Sequence, residues 1–229
     1  IVLGIVVLAA GVGVVTGQLW GRMVGIAIAA LTILANFAFI PYYPIWSLLI
    51  IALNVFVIWA AKVICGIHYQ FKGYENLPDA PAIVLSKHQS AWETIFLLPS
   101  LTRPLVYVFK KEILYIPFFG WGMALLRMIP IDRSQGKNAF KHVVTQGKRR
   151  LVDGQWIIMF PEGTRIPVGQ AGKYKSGGTR LAIETNTVVV PIAHNSGECW
   201  PKQSFLKRPG VITVSIGKPI SPEGHTADS

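Results

Sequence analysis

Two short stretches of this 229-residue sequence hold residue types that could do chemistry together. The first is KHQSAWE, residues 87–93. If the chain turns into a helix near Ala91, Glu93 lies on the first turn and can reach back to His88. A carboxylate on one ring nitrogen fixes the tautomer and raises the basicity of the other nitrogen. That second nitrogen could take a proton from a hydroxyl. The spacing alone also allows a plainer reading, with Glu93 as a first-turn acid at the helix dipole and His88 as a capping or core residue.

The second stretch is FPEGTR, residues 160–165. Gly163 permits a tight turn near a ligand, Thr164 offers a hydroxyl, and Arg165 offers a planar fork that matches a phosphate. Glu162 could orient an arginine or accept from a substrate hydroxyl. Arg133 brings a second guanidinium, which Asp132 could hold in place. Lys110 and Lys111 add two cations, and Lys173, Lys175 and Arg180 follow FPEGTR closely. Such a set suits a phosphate trap. It equally suits a solvated basic face on anionic lipid headgroups. The chain has no GxSxG elbow, P-loop or GxGxxG, so serine nucleophiles and nucleotide cradles have no support.

These stretches need elements to position them. AIVLS (82–86), LVYVF (105–109), MIPI (128–131), WIIMF (156–160), VVVPI (188–192) and VITVSI (211–216) read as strands. Several are continuously apolar, as strands buried on both faces are. WETIFLLPSL, NAFKHVVTQGKRRLV and GGTRLAIET read as helices between them. The alternation predicts an α/β domain with a mostly parallel sheet flanked by helices. In open α/β sheets ligands bind beyond the carboxyl ends of the strands. AIVLS runs into KHQSAWE, MIPI into DRSQG and WIIMF into PEGTR, with VVVPI into AHNSG as a weaker fourth.

The totals constrain the surroundings. The chain is 52% hydrophobic with a mean hydropathy of +0.45 and a formal net charge of +11. Residues 1–66 carry only Arg22 and Lys62, so the remaining chain has a net charge of +9. Three apolar runs fill the first third: 1–15, 23–40 and 45–61. An 18-residue helix covers about 27 Å, close to a bilayer's hydrocarbon core. The first run lacks a basic leader and is followed by further apolar runs, so a membrane span is preferred to a signal peptide. The sequence starts at Ile1, as a piece with residues upstream would. Three spans would put Arg22, Lys62 and the basic domain on one side, which the positive-inside rule makes the cytoplasm. The alternative is a hairpin packed on the domain and dipped into lipid. The expected organisation is a helical anchor of two or three helices over 1–66, an α/β domain over 67–220 and a disordered tail over 221–229. Two cysteines without CxxC spacing, and no clustered histidines, argue against structural zinc. The membrane runs, and the lack of interleaved aromatic and basic residues, argue against nucleic acid.

KHQSAWE, IPIDR, FPEGTR and VVVPI stand in the order and rough spacing of the four motifs of the glycerolipid acyltransferases. The similarity runs from about Lys62 to Pro219 and includes CGIHY, FKKEI and IPFFGWG. It resembles most the bacterial 1-acylglycerol-3-phosphate acyltransferases, which make phosphatidic acid at the inner membrane. The resemblance implies that His88 is the general base on the free sn-2 hydroxyl of lysophosphatidic acid, with Glu93 holding it. Most members carry aspartate there. Lys110, Arg133, Glu162, Gly163, Thr164 and Arg165 match the positions that bind the glycerol phosphate, and Pro191 lies near the acyl site. The donor would be acyl-CoA or acyl-carrier protein, with no metal and no cofactor. Other lysolipid acceptors, or a non-catalytic module that binds anionic lipid, are the alternatives. Residues 17–60 resemble the end of a separate small polytopic membrane family, which would make the chain a fusion.

Overall fold

The computed structural model describes Met23, residues 43–117 and residues 119–226. The first two apolar runs lie outside the described residues, apart from Met23. The third forms helix α1, Tyr43–Cys65. Its 23 residues give about 34 Å of helix. Leu48–Cys65 has a mean hydropathy of 2.5, and 6% of that window is buried. By length and composition this helix can cross a membrane. Ala61 is buried, and Ile50 and Ile58 pack against the core of the α/β unit. Leu48, Leu53, Phe56, Trp59, Val63 and Ile64 stay exposed. An apolar stripe facing outward from a folded domain is what a lipid-facing helix presents.

Beyond α1 the chain alternates strands and helices. The strands are β1 (Ile67–Lys72), β2 (Ile83–Ser86), β3 (Leu105–Lys110), β4 (Ile129–Ile131), β5 (Trp156–Met159), β6 (Val189–His194) and β7 (Gly210–Ile216). The helices are α2 (Trp92–Ser100), α3 (Phe119–Leu125), α4 (Lys137–Val152), α5 (Gly177–Thr185) and α6 (Ser196–Cys199). The sheet order is β1-β7-β6-β2-β5-β3-β4. Every pairing is parallel except β6 with β7. The mostly parallel α/β sheet expected from the alternation is therefore present.

One reversal matters for function. β7 runs against β6 and parallel to β1. So β1 and β7 begin at the end of the sheet where the other five strands finish. That end carries the chemistry, and it is also where α1 hands over to β1 at Gly66. The backbone N–H of Gly210 donates to Gly66 O at 3.1 Å, fastening the two strand starts together.

The core lies around the central strands. Ile83, Val84, Val106, Ile157, Ile158 and Val190 are buried on β2, β3, β5 and β6. Their continuous apolar runs reflect burial on both faces. Trp156 fills the start of β5 and donates its indole N–H to Ala80 O at 3.0 Å. Helix α2 stacks Trp92 on Phe96 at 4.1 Å and sets Phe96 against Tyr69 of β1 at 4.6 Å.

Two elements differ from the sequence reading. IHYQFK forms β1, an edge strand with mostly exposed side chains, so it lacked the apolar run that marked the others. FGWGMAL forms α3 despite two glycines, because close approach is needed there. A Cβ at Gly120 would lie 2.3 Å from Leu114 O, and one at Gly122 would meet Ile50 of α1 at 3.5 Å. The chain stays paired up to the start of the tail, which was expected to be disordered from 221 onward. Ile220 bridges Val189, and a turn at Glu223–Gly224 follows; residues 227–229 lie outside the described residues.

Candidate active site

The loop after β2 delivers His88. Its ring Nδ1 lies 2.9 Å from Glu93 Oε1 on the first turn of α2. The same oxygen accepts the backbone N–H of Gln89 at 2.9 Å and of Ser90 at 2.8 Å. Oε2 accepts from the Ser196 hydroxyl at 2.8 Å. Glu93 is fully buried, so four donors hold a charge that water does not reach. Burial by itself would raise its pKa. The hydrogen bond from His88, the nearby His194 ring and the backbone N–H of Ser90 outweigh that and bring it below the ordinary glutamate value. Glu93 is thus ionised and acceptor-only, so His88 Nδ1 carries the proton and Nε2 presents its lone pair.

A second glutamate fixes the histidine from behind. The His88 backbone N–H donates to Glu162 Oε2 at 2.5 Å, and Lys87 Nζ donates to Oε1 at 3.2 Å. The Glu162 side chain is buried. Among the described residues it orients no arginine. Its carboxylate neutralises Lys87 and clamps the loop that bears His88. Ile166 N–H completes the seam by donating to His88 O at 2.8 Å. Phe160 stacks on the His88 ring, with centroids 4.0 Å apart and 18° between planes. Ring, backbone and carboxylate are all constrained, while the His88 side chain keeps 15% of its surface exposed.

His194 and Ser196 were not singled out by sequence. His194 donates from Nε2 to Lys87 O at 2.8 Å and accepts Ser196 N–H at Nδ1, which fits a neutral ring. Burial holds its pKa below the usual histidine value. Ser196 sits 103 residues from the carboxylate it donates to. Only the AHNSG stretch after VVVPI hinted that this strand end contributes.

The cations form a more open group. The Arg133 guanidinium donates to Gly163 O at 3.1 Å, joining the end of β4 to the FPEGTR turn. Gly163 has φ 67, and a Cβ there would meet Lys175 Nζ at 3.0 Å. So Arg133 and Lys175 both reach this glycine. Lys110 is exposed and sits 3.3 Å from Glu112. The Arg165 side chain has no protein partner among the described residues. Thr164 is exposed and Pro191 half-buried on β6. Asp132 does not hold Arg133, as had been expected. It accepts from Ser134 N–H and Oγ at 3.1 and 2.6 Å and pairs with Lys111 at 3.3 Å. Its short side chain caps the turn that follows β4, and that local bond outcompetes the arginine.

The arrangement couples a pre-oriented base to a cluster of exposed cations. That suits deprotonation of a hydroxyl on a substrate that also bears an anion. Among the described residues no cluster of His, Cys, Asp and Glu could hold a metal, and Cys65 and Cys199 are both free thiols.

Comparison with known proteins points the same way. A family model described as Acyltransferase matches residues 68–195. A second, described as a domain of unknown function (DUF7144), matches residues 1–64, in line with the separate resemblance of the first third. The 1-acyl-sn-glycerol-3-phosphate acyltransferase of Pseudomonas aeruginosa is 53% identical over 170 residues, covering 74% of this chain and 66% of that protein. A chloroplastic 1-acyl-sn-glycerol-3-phosphate acyltransferase of Arabidopsis thaliana is 33% identical, covering 75% and 48%. The crystal structure of the 1-acyl-sn-glycerophosphate acyltransferase PlsC from Thermotoga maritima superposes with a TM-score of 0.57 at 25% identity, covering 69% of this chain and 63% of that one. The chain thus spans just under two thirds of the length of the Pseudomonas and Thermotoga proteins.

Proposed function

The chain belongs to the acyltransferase family, and we propose that it moves a fatty acyl group from an acyl thioester to the free sn-2 hydroxyl of lysophosphatidic acid, giving phosphatidic acid. The observation that carries this reading is the His88–Glu93 pair, with its buried four-donor carboxylate and an imidazole nitrogen left free.

In this mechanism His88 Nε2 takes the proton of the acceptor hydroxyl. The oxygen attacks the thioester carbonyl, forming a C–O bond and a tetrahedral intermediate. Collapse breaks the C–S bond, and the sulfur leaves with the proton from His88. Glu93 stabilises the imidazolium formed between those steps. A positioned base typically contributes 10²–10⁴-fold. Lys110, Arg133 and Arg165 take the acceptor's phosphate and so orient its hydroxyl, which reduces the entropic part of the barrier. Gly163 and Thr164 form the turn that Arg133 bonds to and that Arg165 follows, and Pro191 borders the acyl chain. A thioester is already activated, so the chemistry asks for no cofactor. Acyl-CoA and acyl-carrier protein both supply it.

The acceptor is a lipid, and the site lies at the sheet end where α1 joins the domain. We place residues 1–66 in the bacterial inner membrane as an anchor and residues 67–220 on its cytoplasmic face. Lys62 in the last turn of α1 and the basic domain support that orientation. A module that merely binds anionic lipid would need the cations but not a buried carboxylate aimed at an imidazole. The decisive assay supplies purified protein with lysophosphatidic acid and a panel of acyl thioesters. Formation of phosphatidic acid supports the reading, and its absence across the panel sinks it.

A further inference from the structure

The segment between α6 and β7 has a feature that catalysis does not use. Phe205 and Leu206, adjacent in sequence, project at 103% and 79% exposure. Their surroundings are ordered rather than loose. Lys207 folds back over the Trp200 ring at 4.8 Å and donates to Ser204 O at 2.6 Å and Phe205 O at 3.2 Å. The Ser204 hydroxyl donates to Leu206 O at 3.1 Å. Three successive tip carbonyls are thereby satisfied from within the loop. Backbone that enters lipid must have its polar groups satisfied by protein, because hydrocarbon offers none.

The position of the loop selects its partner. It ends at Pro209 and Gly210, against Gly66, where α1 terminates. A Cβ at Gly66 would meet Pro209 Cβ at 3.1 Å. If α1 lies in the bilayer, this junction is at the headgroup level, marked by Lys62. Arg208 is exposed beside the apolar tip and Lys202 precedes it, as at a surface that meets anionic headgroups. Lys202 also donates to Arg165 O at 3.1 Å. The loop therefore links the point where α1 leaves lipid to the arginine assigned to the acceptor's phosphate.

We propose that residues 200–208 form a second membrane contact, with Phe205 and Leu206 seated at the boundary between headgroups and acyl chains of an anionic bilayer. This rests on the membrane reading of α1. The contact fixes how the catalytic end of the sheet faces the bilayer, and through Lys202 it holds the Arg165 turn at the depth of lipid phosphates. A lysolipid is then met at the headgroup plane rather than drawn out into water.

The test uses the full chain reconstituted in vesicles of phosphatidylcholine and phosphatidylglycerol. A polarity-sensitive fluorophore is placed at Phe205→Cys, in a Cys65→Ser background. A matched label at Val152→Cys, exposed at the opposite end of the sheet, is the reference. The label at 205 should shift to the blue and be quenched by lipid-borne quencher, while that at 152 should do neither. Flotation of the vesicles separates the two readings. A chain that does not float with them overturns the membrane reading and the proposal together. A chain that floats while the label at 205 stays water-like overturns the loop contact alone. The Phe205→Ser, Leu206→Ser variant should raise KM for vesicle-borne lysophosphatidic acid about tenfold, from lost apolar burial, with kcat unchanged. An unchanged KM would also overturn the loop contact.

Discussion

The two halves of the site are built in opposite ways. Around His88 almost nothing is left for a substrate to organise. Glu93 has four donors, Glu162 holds the His88 backbone, Phe160 stacks on the ring, and both carboxylates are buried. Around Arg165 the cations are exposed or half-exposed, and Lys110 is paired only with the exposed Glu112. The difference follows from what each half must do. A base has to hold one tautomer and one direction before the hydroxyl arrives, so its supports belong to the protein. Phosphate ligands gain their partner from the substrate, and a carboxylate locked onto them beforehand would compete with it. Substitutions should then behave differently in the two halves: on the base side they should lower kcat, and on the cation side they should raise KM.

The largest effect should come from His88→Ala. Turnover should fall by roughly two to four powers of ten, with lysophosphatidic acid binding nearly intact because Lys110, Arg133 and Arg165 remain. Turnover within a few-fold of the parent would make the pair structural and break the contrast outright.

Glu93 is the next test, and the geometry separates two changes that look alike. In Glu93→Gln the amide oxygen can keep the three donors at Oε1, and the NH₂ can face Ser196, whose hydroxyl rotates to accept. Only the charge is lost, and kcat should fall by less than in His88→Ala, without loss of fold, since the imidazolium is no longer stabilised. Glu93→Asp keeps the charge but withdraws it by about one C–C bond, 1.5 Å. It cannot serve both backbone N–H groups and Ser196 from that position. Aspartate should therefore be slower than the parent and melt at lower temperature, although it is the usual residue in the family. Full activity of Glu93→Asp would show a pliable loop and blur the comparison.

On the other half, Arg165→Lys should raise KM for lysophosphatidic acid roughly tenfold to a hundredfold. A charge-assisted hydrogen bond contributes about 1.5–3 kcal/mol, and lysine loses the fork. KM for the acyl thioester should barely move. Equal losses for both substrates would remove Arg165 from the phosphate site.

The contrast also explains what could be read from sequence. β2, β3 and β5 were visible because burial on both faces writes continuous apolar runs into the chain, while β4, β6 and β7 showed as short apolar or β-branched runs although they are buried only in part or alternately. β1 was missed because it is an edge strand whose IHYQFK exposes most of its side chains. His88 and Glu93 were legible together because a loop entering a helix brings positions five apart within reach. The cations were legible as a class because charge shows in composition. The supports of the base were not. Glu162 reaches the His88 backbone across 74 residues, and Ser196 reaches Glu93 across 103. Such contacts depend on which strands neighbour one another in the sheet, here β2 between β5 and β6. Asp132 was assigned to Arg133 by adjacency, whereas its own turn claimed it.

Ser196→Ala should have the smallest effect on rate, and it tests whether the distant supports act through the base. Glu93 Oε2 accepts from the Ser196 hydroxyl, and alanine would leave that buried oxygen without this donor. The fold should lose about 1–3 kcal/mol, the cost of an unsatisfied buried group. Glu93 would also be less well held in its ionised form, so its depressed pKa should rise toward the ordinary value of about 4.3. A carboxylate whose folded pKa lies below its unfolded one contributes stability above the unfolded value and loses it as pH falls through the folded one. Acid unfolding of Ser196→Ala should therefore begin at a higher pH than in the parent. With one donor fewer, the carboxylate also holds His88 Nδ1 in a less fixed direction, so kcat should fall a few-fold while KM for lysophosphatidic acid stays in place. A role confined to packing would lower the melting temperature and leave kcat unchanged.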